Sequence, residues 1–281
     1  DASNAETSIF SKSNLLTVAS GRPTQKSLSL SLGKLSIEGF NNDGETTTVT
    51  LAMADRQGNP VPPGTQVNFV SESGVLLPAV CFVPPVIPAT ESSPAIPTSS
   101  CTVNIRSSGT RTTNGRVSIL AYVVGEEDFV DNNGNNIYDA GDTFTDLGRA
   151  FRDDNGQSVT GANGVYDAGE FQVPRVGTNA CTAGSGCPGD GVWGAADVRK
   201  QTTIIFASSK AVITGAFQPP VGGIRSIFNF IVADANKNSM PTGSTVSISV
   251  VDLTTATNTC SLVGTDKFTV ADSIFPSALR M

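Results

Sequence analysis

From Ser27 to Leu32 apolar and polar residues alternate, with Leu28, Leu30 and Leu32 on one side and Ser27, Ser29 and Ser31 on the other. That is the period of a half-buried β-strand. Short β-branched runs of the same kind recur at Val49–Met53, Thr65–Val70, Cys101–Ile105, Val117–Val124, Thr202–Phe206, Ala211–Thr214, Ile227–Val232 and Thr245–Val251, separated by Gly, Pro, Asn or Ser clusters. No stretch keeps a helical period with capping residues at its ends. The pattern predicts an all-β chain of the sandwich class.

Two parts of the chain repeat. Ala54 and Asp55, with Pro62, Gly64, Thr65, Val67, Phe69 and Cys81, align with Ala233 and Asp234, Pro241, Gly243, Ser244, Val246, Ile248 and Cys260 at a constant offset of 179. In each copy a strand ending in Ala-Asp passes through a polar turn to Pro-x-Gly and a second strand, as expected of an antiparallel corner. The boundaries this implies are an N-terminal extension over 1–26, a first sandwich over 27–214 with an insertion at 126–197, and a second sandwich over 215–281. After Cys260 the second copy has only 21 residues, too few for all the strands of the first. A sandwich stopped there leaves sheet edges open. Either the chain is a truncated piece or its end is lost, or a strand arrives from elsewhere, and Ile9 to Val18 of a neighbouring copy could donate one.

The run Val49 to Asp55, Gly58-Asn59-Pro60-Val61-Pro62 and Gly64-Thr65-Gln66-Val67-Asn68-Phe69 resembles the bacterial Ig-like domains of group 1, the invasin and intimin type, in which DxxGNPVxxGTxVxF marks two successive strands. The match covers residues from about 28 to 124; the second copy is weaker, with Asn236-Lys237-Asn238 in place of the glycine turn. The resemblance implies tandem Ig-like β-sandwiches and an exported, non-enzymatic protein of the bacterial cell surface or envelope, used in adhesion, display or assembly.

Charge changes the picture in one place. The formal charge is −7, yet residues 126–170 hold eleven carboxylates against Arg149 and Arg152, a local −9 that leaves the rest at +2. Within Asp131 to Asp142, oxygen-bearing side chains fall at positions 1, 3, 5, 9 and 12 of a twelve-residue loop, the spacing at which such loops ligate Ca²⁺. Asp131, Asn133 and Asn135 would lead, the Ile137 carbonyl would sit at position 7, Asp139 at 9 and Asp142 would close the site. Asn136 occupies position 6, where a left-handed backbone is needed and asparagine is tolerated. Closure by aspartate resembles dockerin-type loops. A second copy follows, with Asp153 and Asn155 at positions 1 and 3, a seven-residue insertion, then Asn163, Val165, Asp167 and Glu170. One or two structural Ca²⁺ ions would offset a charge that otherwise keeps this segment disordered.

Composition removes several functions. There is no histidine, which excludes Ser-His, Cys-His and His-metal chemistry. The acidic balance argues against a nucleic-acid partner. No apolar run reaches the ~20 residues of a membrane span. Five cysteines are too few for a disulfide scaffold but are spaced for two local clips, Cys81 with Cys101 and Cys181 with Cys187, leaving Cys260 over. Disulfides imply an extracytoplasmic setting, and a chain beginning at Asp1 is expected of one whose leader or tag has been removed. A glycosidase using paired carboxylates is the strongest enzymatic reading, but the acids follow metal spacing and Trp193 is the single tryptophan. Trp193 is expected in a small satellite core under the loop. Adjacent Ser209 and Lys210 would point to opposite faces of a strand, so they form no nucleophile pair. Two uses remain: a surface adhesion module, or a subunit of an extracellular fibre built by strand donation.

Overall fold

The computed structural model describes residues 21–87, 98–154, 163–215, 226–250 and 261–280. The expected donor segment 9–18, Asn155 and Cys260 lie outside these. The chain is all-β. In order the strands are β1 Leu28–Leu32, β2 Ser36–Ile37, β3 Thr46–Met53, β4 Gln66–Ser71, β5 Val75–Leu77, β6 Val80–Phe82, β7 Ser100–Arg106, β8 Arg116–Glu126, β9 Phe129–Val130 and β10 Thr143–Phe144. Then come β11 Ala195–Phe206, β12 Ala211–Gly215, β13 Asn229–Asp234, β14 Thr245–Ser247, β15 Lys267–Thr269 and β16 Ser277–Arg280.

The first unit is a β-sandwich of a four-stranded sheet, β1-β3-β7-β5, and a five-stranded sheet, β2-β11-β8-β4-β6. Alternation explains the layers. Val49, Leu51 and Met53 of β3 and Cys101, Val103 and Ile105 of β7 face Val67 and Phe69 of β4 and Val117, Ile119, Ala121 and Val123 of β8 in one core. Among the described residues all strand pairs of this unit are antiparallel except β2 with β11, where Ser36 and Ile37 lie beside Ile205 and Phe206. The disulfide Cys81–Cys101 joins β6 in one sheet to β7 in the other. Among the described residues no helix is long and apolar enough to cross a membrane.

Strand β12, expected to close the first sandwich, instead pairs with β13 from Ala211↔Asp234 to Gly215↔Phe230. The division between the units therefore falls in the bend at Ser208 and Ser209 rather than after Thr214. The second unit holds β12-β13-β16 and a β14-β15 pair around Phe230, Val232, Met240 and Val270. The Thr245–Val251 strand is shorter than expected, since β14 ends at Ser247.

The repeat is visible in hydrogen bonds. Asp55 Oδ1 accepts the N–H groups of Gln57 and Asn59 at 2.9 and 2.8 Å, and Asp234 Oδ1 accepts those of Asn236 and Asn238 at 2.9 and 2.7 Å. Gly58 and Lys237 take the left-handed position of the two turns, at φ 82° and 67°. Beyond the next strand the offset changes. Val67 lies opposite Cys81, but Val246 lies opposite Phe268, an offset of 187. Phe268, and not Cys260, is the counterpart of Cys81, because the second hairpin is eight residues longer.

The Asp234 turn docks on the end of the first unit. Arg116 donates to Asn238 Oδ1 at 3.0 Å, Asn238 Nδ2 donates to the Asn114 carbonyl at 2.6 Å, and Ser208 N–H donates to Asp234 Oδ2 at 2.9 Å. The Asp55 turn lies at the opposite end, where β3 finishes and β8 runs into the acidic insertion. Leu51 is fully buried and Leu77 is 44% exposed on an edge strand. Leu51→Ala is expected to lower stability by about 2–5 kcal/mol and Leu77→Ala by no more than about 0.5 kcal/mol, as read from urea denaturation midpoints.

Candidate metal centre

The insertion leaves β8 at Glu126 and returns at Ala195, whose backbones are paired. Its first loop is organised by Asp131. The carboxylate accepts N–H bonds from Gly134 at 2.7 Å, Asn135 at 3.2 Å and Asn136 at 2.7 Å. These donors, that of Asn136 foremost, hold the Asp131 carboxyl below its ordinary pKa. Gly134 and Asn136 both adopt left-handed backbone, at φ 75° and 62°. Asn133 and Asn135 each turn an amide nitrogen toward Asp139, at 3.0 and 2.6 Å. Asp142 closes the loop, Oδ1 accepting from Asn132 N–H at 2.9 Å and Oδ2 from Asp139 N–H at 3.1 Å. Ile137 contributes backbone, its N–H donating to Asn135 Oδ1 at 2.7 Å. The structure thus brings the five side chains of the first loop into one network.

The second loop repeats that wiring despite its insertion. Asp153 accepts from Asn163 N–H at 3.2 Å and Gly164 N–H at 2.5 Å, as Asp131 does from Asn135 and Asn136. Val165 N–H donates to Asn163 Oδ1 at 2.7 Å, and Asn163 Nδ2 reaches Asp167 at 3.3 Å. Glu170 closes with Oε1 on Asp154 N–H at 2.6 Å and Oε2 on Asp167 N–H at 2.8 Å. Burial raises the Glu170 pKa. On either side of the seven inserted residues, Asp153 and the Asn163–Glu170 run still meet.

A third loop of the same design escaped the sequence reading. Asp146 accepts from Asp190 N–H at 3.1 Å and Gly191 N–H at 2.8 Å, and Val192 N–H donates to Asp190 Oδ1 at 2.9 Å. The closing carboxylate is Glu127, with Oε1 on Leu147 N–H at 2.7 Å and Oε2 on Gly194 N–H at 3.0 Å. Glu127 is 3% exposed, and its pKa is raised by burial and further by Asp146 and Asp190. The signal was present in Asp190-Gly191-Val192-Trp193, which parallels Asn163-Gly164-Val165-Tyr166. It was hidden because Asp146 stands 44 residues before Asp190 and Glu127 precedes both. A contiguous twelve-residue template cannot find such a loop.

Position 8 is aromatic in all three loops. Tyr138 stacks on Trp193 with centroids 4.9 Å apart, Phe129 meets both edge-on, and Phe144 packs on Tyr138. Trp193 Nε1 donates to the Glu127 carbonyl at 2.9 Å. Tyr166 packs on Phe151. Behind the second loop Ala150 and Val173 cover Leu120, on the outer face of β8. The Cys181–Cys187 disulfide closes a short turn within the same segment.

Among the described residues no three acidic or cysteine side chains stand together as a ready-made cage. Each loop instead offers carboxylates with amide or backbone carbonyl oxygens, and such an all-oxygen set suits a hard divalent cation. Comparison with protein-family models, with curated proteins and with solved structures found no match.

A Cβ at Gly189 would stand 1.8 Å from Asp146 Oδ1, whereas one at Gly186 meets nothing within 4 Å. Gly189→Ala is therefore expected to open the third loop and diminish the near-UV circular dichroism of Trp193, and Gly186→Ala to leave that signal unchanged.

Proposed function

We propose that the chain is an exported, non-enzymatic surface module of tandem Ig-like sandwiches, whose acidic insertion is ordered by structural Ca²⁺ and carries the adhesive or display surface. The observation that bears most weight is the hydrogen-bond wiring shared by the Asp131 and Asp153 loops. The wiring is the same in both loops although seven residues, 156–162, are inserted between positions 3 and 5 of the second. The third loop shares the wiring and extends the reading to Asp146, Asp190 and Glu127.

Strand order supports the Ig-like reading. β1-β3-β7-β5 corresponds to A-B-E-D, and β11-β8-β4 to G-F-C, with β2 as the short first-strand segment that crosses to run parallel to G. The insertion then occupies the F–G connection, one of the loops used for recognition in variable-type Ig domains. Asp131, Asn133, Asn135, the Ile137 carbonyl, Asp139 and Asp142 would hold one ion, and Asp153, Asn155, Asn163, the Val165 carbonyl, Asp167 and Glu170 another. The cation supplies charge balance and backbone order; two ions offset about four of the segment's negative charges, and sites of this kind fill at extracellular calcium levels. Two disulfides agree with an oxidising compartment.

A fibre subunit is the second reading. Among the described residues the second unit has no counterpart of β8 or β11, and Phe230 and Leu279 border a cavity of about 420 Å³. Residues 9–18 of a neighbouring copy would supply the missing strand.

Addition of EGTA is expected to lower the melting temperature and to accelerate proteolysis within residues 126–170; a chain indifferent to chelation in both assays refutes the calcium reading. Calorimetric titration with Ca²⁺ should find at least two equivalents, one lost in Asp131→Ala and another in Asp153→Ala. Deletion of residues 1–20 should abolish linear polymers in the fibre case, seen by analytical ultracentrifugation, and polymers that persist rule out strand donation.

A further inference from the structure

The three loops differ at position 6. Gly164 and Gly191 fill it in two of them, at φ 78° and 76°, but the first loop places Asn136 there at φ 62°. A side chain in that region is strained where glycine is not. Sandwich residues Ser118 and Gln201 hold the second loop at Asp153, but in the first loop a sandwich residue reaches position 6 itself. Arg56 donates from its guanidinium to the Asn136 carbonyl at 2.8 Å, and its Cζ lies 3.9 Å above the centre of the Phe129 ring. Phe129 in turn packs edge-on against Tyr138 and Trp193.

Arg56 is surplus to its own turn. The second unit builds the same Asp-centred turn with Ala235 at the corresponding place, so the turn's fold does not call for an arginine. What Arg56 touches is the peptide between Asn136 and Ile137. That unit has its N–H on Asn135 Oδ1 and its carbonyl on Arg56, so its plane is held at both ends. The next carbonyl along the chain is that of Ile137, the backbone oxygen offered at position 7.

We propose that Arg56 is a positioning residue for the first loop, holding the left-handed Asn136 peptide so that the Ile137 carbonyl faces inward, and thereby fastening the loop to the sandwich. It does for Asn136 what the missing Cβ does for Gly164 and Gly191. The inference rests on the calcium reading for its consequence, and on hydrogen bonding alone for its mechanism.

A double-mutant cycle tests it with Arg56→Ala, Asn136→Gly and the two combined. The first readout is amide hydrogen exchange over residues 132–137 in the presence of chelator, which involves no metal. Arg56→Ala should speed exchange there about tenfold, the lower end for a hydrogen bond from a charged donor, and leave residues 163–170 unchanged. The same substitution in the Asn136→Gly background should have no effect above about twofold, since glycine removes the strain that Arg56 offsets. The second readout is Ca²⁺ affinity of the first loop, expected to fall about tenfold in Arg56→Ala and to be recovered in the double variant. Unchanged exchange in Arg56→Ala, an equal loss in both backgrounds, or a gain of affinity on removing the positive charge overturns the proposal. If the wild-type chain shows no response to Ca²⁺, the calcium reading fails while the exchange cycle still decides the role of Arg56.

Discussion

Strand β8 is buried on both faces from Arg116 to Ala121, and much of the molecule follows from what that burial demands. Val117, Ile119, Ala121 and Val123 fill the sandwich core, while Leu120 and Tyr122 on the other face lie under Ala150, Val173 and Phe171 of the insertion. A sheet face carrying leucine and tyrosine needs a cover. The acidic segment provides it, folding back over the strand from which it departs. Its negative charge is thus tied to the stability of the core, since whatever orders the loops also seats Ala150 and Val173. Ser118 adds a polar link across the same face through its hydroxyl to the Asp153 carbonyl at 3.3 Å.

Carboxylates serve throughout as organisers of backbone. Asp55 and Asp234 each collect the N–H groups of a turn, and Asp131, Asp153 and Asp146 do the same in the insertion. A short acid that accepts two or three amide donors closes a tight loop without regular pairing. The two sandwich turns show how one device takes two uses. In the second unit the turn plugs into the base of the first through Arg116 and Ser208. In the first unit it faces the insertion, and Arg56 bridges the gap.

Alternation made β1, β3, β4 and β7 legible, because each has one face in the core and one toward water. The first half of β11 was not, since Ala195-Ala196-Asp197 and Arg199-Lys200-Gln201 read as a polar loop until full-length pairing with β8 is seen. Edge strands β5, β6, β15 and β16 are three or four residues long, too short for a period to show. The unit boundary was misplaced because Ala211–Gly215 carries a strand pattern that says nothing of which sheet it joins. In the insertion, the spacing of carboxylates and amides exposed the two loops that are nearly contiguous. The third depends on Glu127 and Asp146, which only the fold brings to Asp190. Cys260 was aligned with Cys81 by counting, and a longer hairpin shifts that count by eight.

The parallel pairing of β2 with β11 bears on how the first unit would carry load. β2 lies near the entry of the chain into the sandwich and β11 is its last strand before the second unit. Ile205 N–H and Ala207 N–H hold the Leu35 and Ile37 carbonyls at 2.8 Å each. Tension applied between the two ends of the unit pulls these parallel strands past one another in opposite directions. Their hydrogen bonds are then sheared together instead of being unzipped one at a time, and the Cys81–Cys101 bridge keeps the two sheets from parting while they resist. A pair only two residues long would thus be loaded in shear if the first unit were stretched end to end.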